Sequence, residues 1–334
     1  MKLQARREFL RTLGVGAMGL ALPDSITFAA SESASKPLRG IFPIAQTPFT
    51  ESGELDLDSL VAQVRFIDKG GVHGFVWPQL ASEWDTLTEA ERLAGAEAIA
   101  GAGKKLRPAI VLGVQAPDAA TAVKYAKHAG KIGANAIISL PPPGKNDDKA
   151  LFRYYKEIGA ATELPLFVQA VGNMSVEAIL DMYRGIPTLR YVKDEAGQPL
   201  MRVGPLRQQS RDELKVFTGG HGKTLIDEMI RGFSGSMPAA SFADVYAAAW
   251  DLWHEGKKQR ALEMFGNAAV LINEISVYAD GMKYILHLRG VFKTYGSRQR
   301  PNEIAGAANR TPLDETGKQV LREILDLMKP RLRA

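Results

Sequence analysis

A lysine sits where an apolar strand runs out. In the stretch LRYVKDEAG, residues 189–197, Leu189, Tyr191 and Val192 favour an extended chain, and Lys193 follows them with Asp194, Glu195 and a glycine behind. An amine at the edge of an apolar core is partly desolvated, which disfavours its charged form. A neutral amine can attack a carbonyl carbon and form an imine. The protonated imine then withdraws electrons and stabilises a carbanion on the adjacent carbon. Aldol cleavage, condensation and dehydration all need that carbanion. The same charges also describe an ion pair of Lys193 with Asp194 or Glu195, so the stretch alone leaves both readings open.

Rival chemistries find few residues. The chain has no cysteine, which excludes thiolate metal sites and cysteine nucleophiles. His73, His128, His254 and His287 are isolated, no H-E-x-x-H occurs, and no metal is expected. No G-x-G-x-x-G follows the first apolar run and there is no P-loop, so the chain is read without a cofactor. His221, in TGGHGK, is the candidate acid or base near neutral pH, with a solvated loop histidine as the plain alternative.

Eight short apolar runs alternate with amphipathic segments from residue 40 onward: 40–47, 72–77, 107–114, 134–140, 164–171, 189–195, 213–220 and 233–239. Helical patterns lie between them, as over 57–69, 89–102, 118–132 and 149–161, with start signals at Asp58, Thr88 and Ser175. Eight strand–helix units predict an α/β fold of the closed (β/α)8 barrel type, a TIM barrel, over 35–240, with additional C-terminal helices over 241–334. Chemistry in such a barrel sits at the C-terminal strand ends, which puts Lys193 at the mouth end of the sixth strand.

The first residues read as an address. Arg6 and Arg7 precede Phe9 and Leu10, a short Gly/Ala-rich apolar run follows, and small residues close the segment. We read 1–34 as a twin-arginine signal peptide and short linker, which predicts export to the periplasm. The apolar run is too short for a stable membrane anchor. The formal net charge is +5, of which residues 1–30 carry +2, and the remainder is too mild and scattered for a nucleic-acid partner.

From about Leu38 to Gly296 the sequence resembles the dihydrodipicolinate synthase/N-acetylneuraminate lyase family of class I aldolases. The matching pieces run in order: GIFPIAQTPFTESGELD, GGVHGFVWPQLASEWDTLTEAER, GANAIISLPPPGK, YVKDEAG, FTGGHG and GFSGSMPA. The resemblance implies that Lys193 is the Schiff-base lysine, that the partner is a small-molecule carbonyl substrate, and that the chain forms a homotetramer or homodimer. Departures from the family pattern fall on the site itself. The family's hydroxyl-bearing carboxylate loop reads QLASE here, Gln79 to Glu83, and its proton-relay tyrosine on the fifth strand falls at Gln169. The tyrosine that completes the relay falls within Pro141 to Pro143, and an arginine for a distal carboxylate falls at Met174.

The expected pocket is therefore Lys193 and His221 as catalytic groups, with Gln79, Ala81, Ser82, Gln169 and Met237 binding substrate. Trp77 and Trp84 flank the altered loop and offer either an apolar wall or core packing. The expected substrate is less polar than a simple pyruvate-derived keto acid, and a role in lysine biosynthesis is not expected of an exported chain. The competing reading is a periplasmic small-molecule binding protein on the same barrel, with catalysis lost.

Overall fold

A computed structural model describes residues 36–144, 147–298 and 310–334. The export segment expected over 1–34 lies outside the described residues. Eight parallel strands follow one another in space as in sequence: β1 Gly40–Ile41, β2 Gly74–Trp77, β3 Ala109–Gly113, β4 Ala136–Ser139, β5 Leu166–Ala170, β6 Leu189–Asp194, β7 Lys215–Thr218 and β8 Gly235–Ser236. β1 pairs with β8, and Ile44 bridges both Val76 and Ala239, which draws the two ends of the sheet together. The expected (β/α)8 barrel is the fold.

The predicted runs 40–47 and 233–239 shrink to two-residue strands, because Pro43 and Pro238 have no N–H to give to a ladder. Extended pairing still continues past them: Phe42 N–H donates to Ser236 O at 2.9 Å and Ile44 N–H to Pro238 O at 2.8 Å.

Helices join the strands: α1 Leu57–Lys69, α2 Glu89–Gly103, α3 Ala119–Ile132, α4 Asp148–Ala160, α5 Val176–Gly185, α6 Pro199–Gln209, α7 Leu225–Arg231 and α8 Ala243–His254. α9 Lys258–Val277, α10 Gly281–Leu288 and α11 Glu315–Met328 follow. Thr88 caps α2 and Ser175 caps α5, as their positions predict. α1 differs. Its cap is Asp56, whose carboxylate accepts from Ser59 N–H at 3.1 Å, while Asp58 lies in the first turn and pairs with Lys293.

The two-residue strand period sorts each strand into an inner and an outer face. On β6, Tyr191 packs inside the barrel and Val192 joins the layer between sheet and helices. Below the mouth the interior is filled by aromatic rings. Phe167 stacks on Tyr191 with centroids 4.3 Å apart, and Phe217 meets Phe167 and Phe42 edge-on at 5.3 and 5.4 Å. This floor closes the barrel from below and confines polar groups to the upper end of the strands.

A buried charge pair helps fasten the C-terminal segment to the barrel. Asp244 of α8 receives both guanidinium nitrogens of Arg289, at 3.0 and 2.7 Å, with both side chains almost fully buried. Arg289 also donates to Ser241 O and Ala334 O, and its guanidinium lies 4.4 Å from the centroid of the Phe66 ring. These bonds offset much of the desolvation of two ions although the buried Arg289 Nε has no partner, and removing one member of the pair leaves an uncompensated charge. Asp244→Ala is expected to cost about 3–5 kcal/mol, read as a lower urea midpoint at unchanged slope.

Candidate active site

Lys193 reaches the mouth because it lies two residues beyond Tyr191 on the same face of β6, one step above the aromatic floor. It is 4% exposed, and its Nζ lies 2.9 Å from Glu195 Oε2. Asp194, between them, faces the other way and takes Arg202 of α6 at 2.8 Å. The alternation of the strand thus assigns the two acids different partners, and only Glu195 meets the lysine.

Glu195 is held from three sides. Besides Lys193, Gln169 Nε2 donates to Oε2 at 2.6 Å and Gly220 N–H donates to Oε1 at 3.2 Å. A Cβ on Gly219 would come within 1.8 Å of Oε1, so the bare backbone there makes room for the carboxylate. Burial alone would push the Glu195 carboxyl up. The Lys193 charge and the three hydrogen bonds outweigh that, and its pKa lies below the ordinary carboxylate value.

Lys193 and Glu195 stand on the wall of a cavity of about 200 Å3. Of the residues expected to form a site, Gln79, Ala81, His221 and Met237 line it as well. Gln169 and Ser82 do not: both are fully buried behind it. Gln169 is the support of Glu195. Ser82 fastens the altered loop, its Oγ donating to Ala45 O at 2.5 Å and accepting from Gln79 N–H at 3.0 Å. Trp77 is a core residue that donates to Thr47 Oγ1 at 2.9 Å, and neither Trp77 nor Trp84 lines the cavity.

The loop 79–83 is a turn of 3-10 helix, and its later amides are engaged internally. Ser82 N–H donates to Gln79 O and Glu83 N–H to Leu80 O. Gln79 Nε2 donates to Gln115 Oε1 at 3.0 Å, which leaves the buried Gln79 Oε1 with no partner. The buried Oε1 of Gln46, on the same cavity, is also unpartnered.

The outer wall comes from the C-terminal segment: Ala279, Met282, Lys283, Ser297 and Arg310. Lys283 of α10 is 4% exposed and pairs with Glu83, whose other oxygen accepts from Arg298 N–H at 2.8 Å. Burial lowers the Lys283 pKa against the opposing pull of Glu83. Sequence reasoning named none of these tail residues. Lys283 had a faint signal, a cation inside the apolar run MKYILHL. Arg310 had none. Glu195 was visible only as an ion-pair neighbour, since its reach into the cavity depends on the turn after β6.

His221 takes a left-handed backbone, φ 59°, after β7, and its carbonyl accepts from Tyr246 Oη–H at 2.8 Å. Burial, joined by the positive charges of Arg310, Lys223 and Lys193, lowers its pKa from 6.5 to about 4. The imidazole is therefore neutral at pH 7, where the sequence reading expected a group near its titration point.

Fold and site together define a (β/α)8 barrel that carries a buried amine at its mouth. Residues 37–316 match the model of the dihydrodipicolinate synthetase family, and the chain belongs to that family, whose members are class I aldolases and lyases. It is 32% identical over 166 residues to the 4-hydroxy-tetrahydrodipicolinate synthase of Rhizobium meliloti, an alignment covering 48% of this chain and 56% of that protein. It is 23% identical to a DapA-like lyase of Pyrococcus furiosus, over 88% of this chain and 97% of that one. Among solved structures, 4-hydroxy-tetrahydrodipicolinate synthase from Methylacidiphilum fumariolicum superposes with a TM-score of 0.77 at 21% identity, covering 88% of this chain and 97% of that chain. N-acetylneuraminate lyase from Mycoplasma synoviae gives 0.75 at 19%, covering 86% and 97%. At these identities the superpositions speak for the fold.

A histidine held neutral when folded but free to protonate when unfolded gives the unfolded chain more bound protons between pH 6.5 and about 4. Stability then falls as pH falls through that window. Asparagine tolerates the left-handed backbone, so His221→Asn should lose less stability between pH 7 and 4.5 than the parent, by roughly 1–3 kcal/mol in urea titrations. An equal acid-induced loss in both would contradict the buried, neutral imidazole.

Proposed function

We propose that this chain is a lyase that captures a small-molecule carbonyl compound as an imine on Lys193 and uses Glu195 to move protons around the imine carbon. The observation that carries this reading is the Lys193–Glu195 pair, 2.9 Å apart and set together on the cavity wall. Export to the periplasm by the twin-arginine segment is part of the proposal. So is a role outside lysine biosynthesis, supported by a substrate loop with Leu80 and Ala81 in place of hydroxyl donors.

The pair can run the whole sequence without another acid. A proton passes from the Lys193 ammonium to the Glu195 carboxylate, leaving a neutral amine and a neutral acid. The amine attacks the carbonyl carbon, the C–N bond forms, and the Glu195 acid protonates the oxygen. Glu195 then takes a proton from the attached nitrogen and returns it to the hydroxyl, which leaves as water while the C=N bond forms. The products are a protonated imine on Lys193, one water, and a Glu195 carboxylate beside the imine. That carboxylate can remove a proton from the carbon next to the imine, or from a hydroxyl further along when a carbon–carbon bond breaks.

Burial fits the assignment. The strongest influence holding the Glu195 pKa down is the Lys193 charge. When the amine gives up its proton that influence disappears, and burial raises the proton affinity of the carboxylate at the step that needs an acid. Positioned proton transfer of this kind contributes about 10²–10⁴-fold. Gln169, where the family's relay residue would stand, keeps a hydrogen-bonding role: it aims the carboxylate.

A catalytically silent binding protein is the other outcome of the decisive experiment. Borohydride reduction in the presence of 2-oxo acids, aldehydes and ketones should leave an adduct on the peptide carrying Lys193, and Lys193→Ala should abolish both adduct and turnover. No adduct with any compound, while the same panel still raises the melting temperature, would establish binding without catalysis and overturn the lyase. Gly219→Ala should slow adduct formation about tenfold or more, because the new methyl displaces Glu195 while Lys193 remains.

A further inference from the structure

The charges around the cavity do not cancel. Lys193 is matched by Glu195, and Lys283 by Glu83. Arg310 remains. It lines the same cavity, is half-buried, and forms no ion pair with any described residue. Burial lowers even its guanidinium pKa, yet an arginine stays protonated across the working range. Among the described residues, one uncompensated positive charge therefore stands on the wall of a partly desolvated cavity, where an anion is worth far more to it than in water.

Arg310 is also held in place. Its neighbour Thr311 bridges to Tyr278: Thr311 N–H donates to Val277 O at 2.8 Å, and Ala279 N–H donates to Thr311 O at 3.1 Å. The backbone next to Arg310 is thus stitched to the same turn that supplies Ala279 to the cavity. Among the described residues of the cavity no second cation stands unpaired to compete for an anion. The loop hydroxyl that remains, Ser82 Oγ, is tied to Ala45 O, and the amides of Ser82 and Glu83 are engaged within the loop. The unpartnered oxygens of Gln46 and Gln79 are acceptors, which repel negative charge.

We propose that Arg310 is the anion subsite of this cavity, and that the substrate carries a carboxylate separated along its chain from the carbonyl captured by Lys193. The subsite rests on the reading of Lys193 given above and adds the substrate class to it. A planar carboxylate suits the fork of guanidinium donors and leaves the Lys193–Glu195 pair undisturbed. The altered loop alone suggested a less polar substrate; the tail of the chain supplies a cation that the loop does not.

The test uses the full chain with three oxo acids, 2-oxopentanoate, 4-oxopentanoate and 5-oxohexanoate, each beside its methyl ester. Borohydride labelling of Lys193 is followed against ligand concentration. 4-Oxopentanoate or 5-oxohexanoate should half-saturate labelling at a concentration ~10–100-fold below its ester, the size of a charge-assisted hydrogen-bonded pair, and a preference confined to 2-oxopentanoate would overturn the separated carboxylate. Arg310→Gln should erase that preference, so that each acid and its ester label Lys193 at the same half-saturation, and Arg310→Lys should restore part of it. Equal labelling by every acid and its ester, or a preference that survives Arg310→Gln, would overturn the subsite while leaving the imine intact. If no compound labels Lys193, the imine fails by itself and the subsite is judged on melting temperature. Acids that stabilise the parent but not Arg310→Gln would uphold it, and acids that stabilise both equally, or neither, would overturn it.

Discussion

A buried lysine at the end of β6 and a partly buried glutamate two residues further on hold each other in place, and much of the surrounding structure serves to keep them there. The lysine could not sit alone at that depth: an isolated buried charge costs several kcal/mol, whereas one paired and hydrogen-bonded is tolerated. The completion comes from distant parts of the chain. Gln169 on β5 and the Gly220 amide after β7 close around the carboxylate, and the side-chain-free Gly219 leaves it space. Beneath them the stacked and edge-on rings of Phe42, Phe167, Tyr191 and Phe217 fill the barrel, so the pair cannot sink further inward.

The second half of the site is built by the residues that follow the barrel. α10 brings Lys283 to Glu83, and the bridge between Tyr278 and Thr311 brings Arg310 to the cavity. The Asp244–Arg289 pair anchors this layer to α8, so charges on the outer wall have fixed positions relative to those on the strands. No helix among the described residues is long and apolar enough to cross a membrane; the extra helices pack on the barrel instead.

Much of this was legible in the sequence, for identifiable reasons. The eight strands announced themselves because a parallel sheet covered on both sides needs continuous apolar runs, and α1 was bounded by its own periodicity over 57–69. Its cap was misplaced by two residues because Asp56 and Asp58 are chemically alike, and only the fold decides which carboxylate faces Ser59. Lys193 was legible because a charge at the end of an apolar strand is conspicuous. Glu195 was legible as an ion-pair partner of Lys193 but not as a wall of the cavity, and neither Lys283 nor Arg310 was legible as part of that wall, because these placements depend on three-dimensional closure of a turn, a tail helix and a bridge. The substitution of Gln for a proton-carrying residue at 169 could be read as a loss. That it redirects a neighbouring carboxylate could be known only from the 2.6 Å contact.

The central claim is that Glu195 moves protons next to an imine on Lys193. It is tested most directly by following hydrogen–deuterium exchange at the carbon beside the carbonyl, by NMR in heavy water, for the compound that Lys193 captures most readily. The account predicts rapid exchange with the parent chain, loss by about 10²–10⁴-fold in Glu195→Gln, and continued borohydride capture of the compound by that variant at equilibrium. Exchange at the parent rate in Glu195→Gln would show that another group carries the proton, and the account of this site would be wrong.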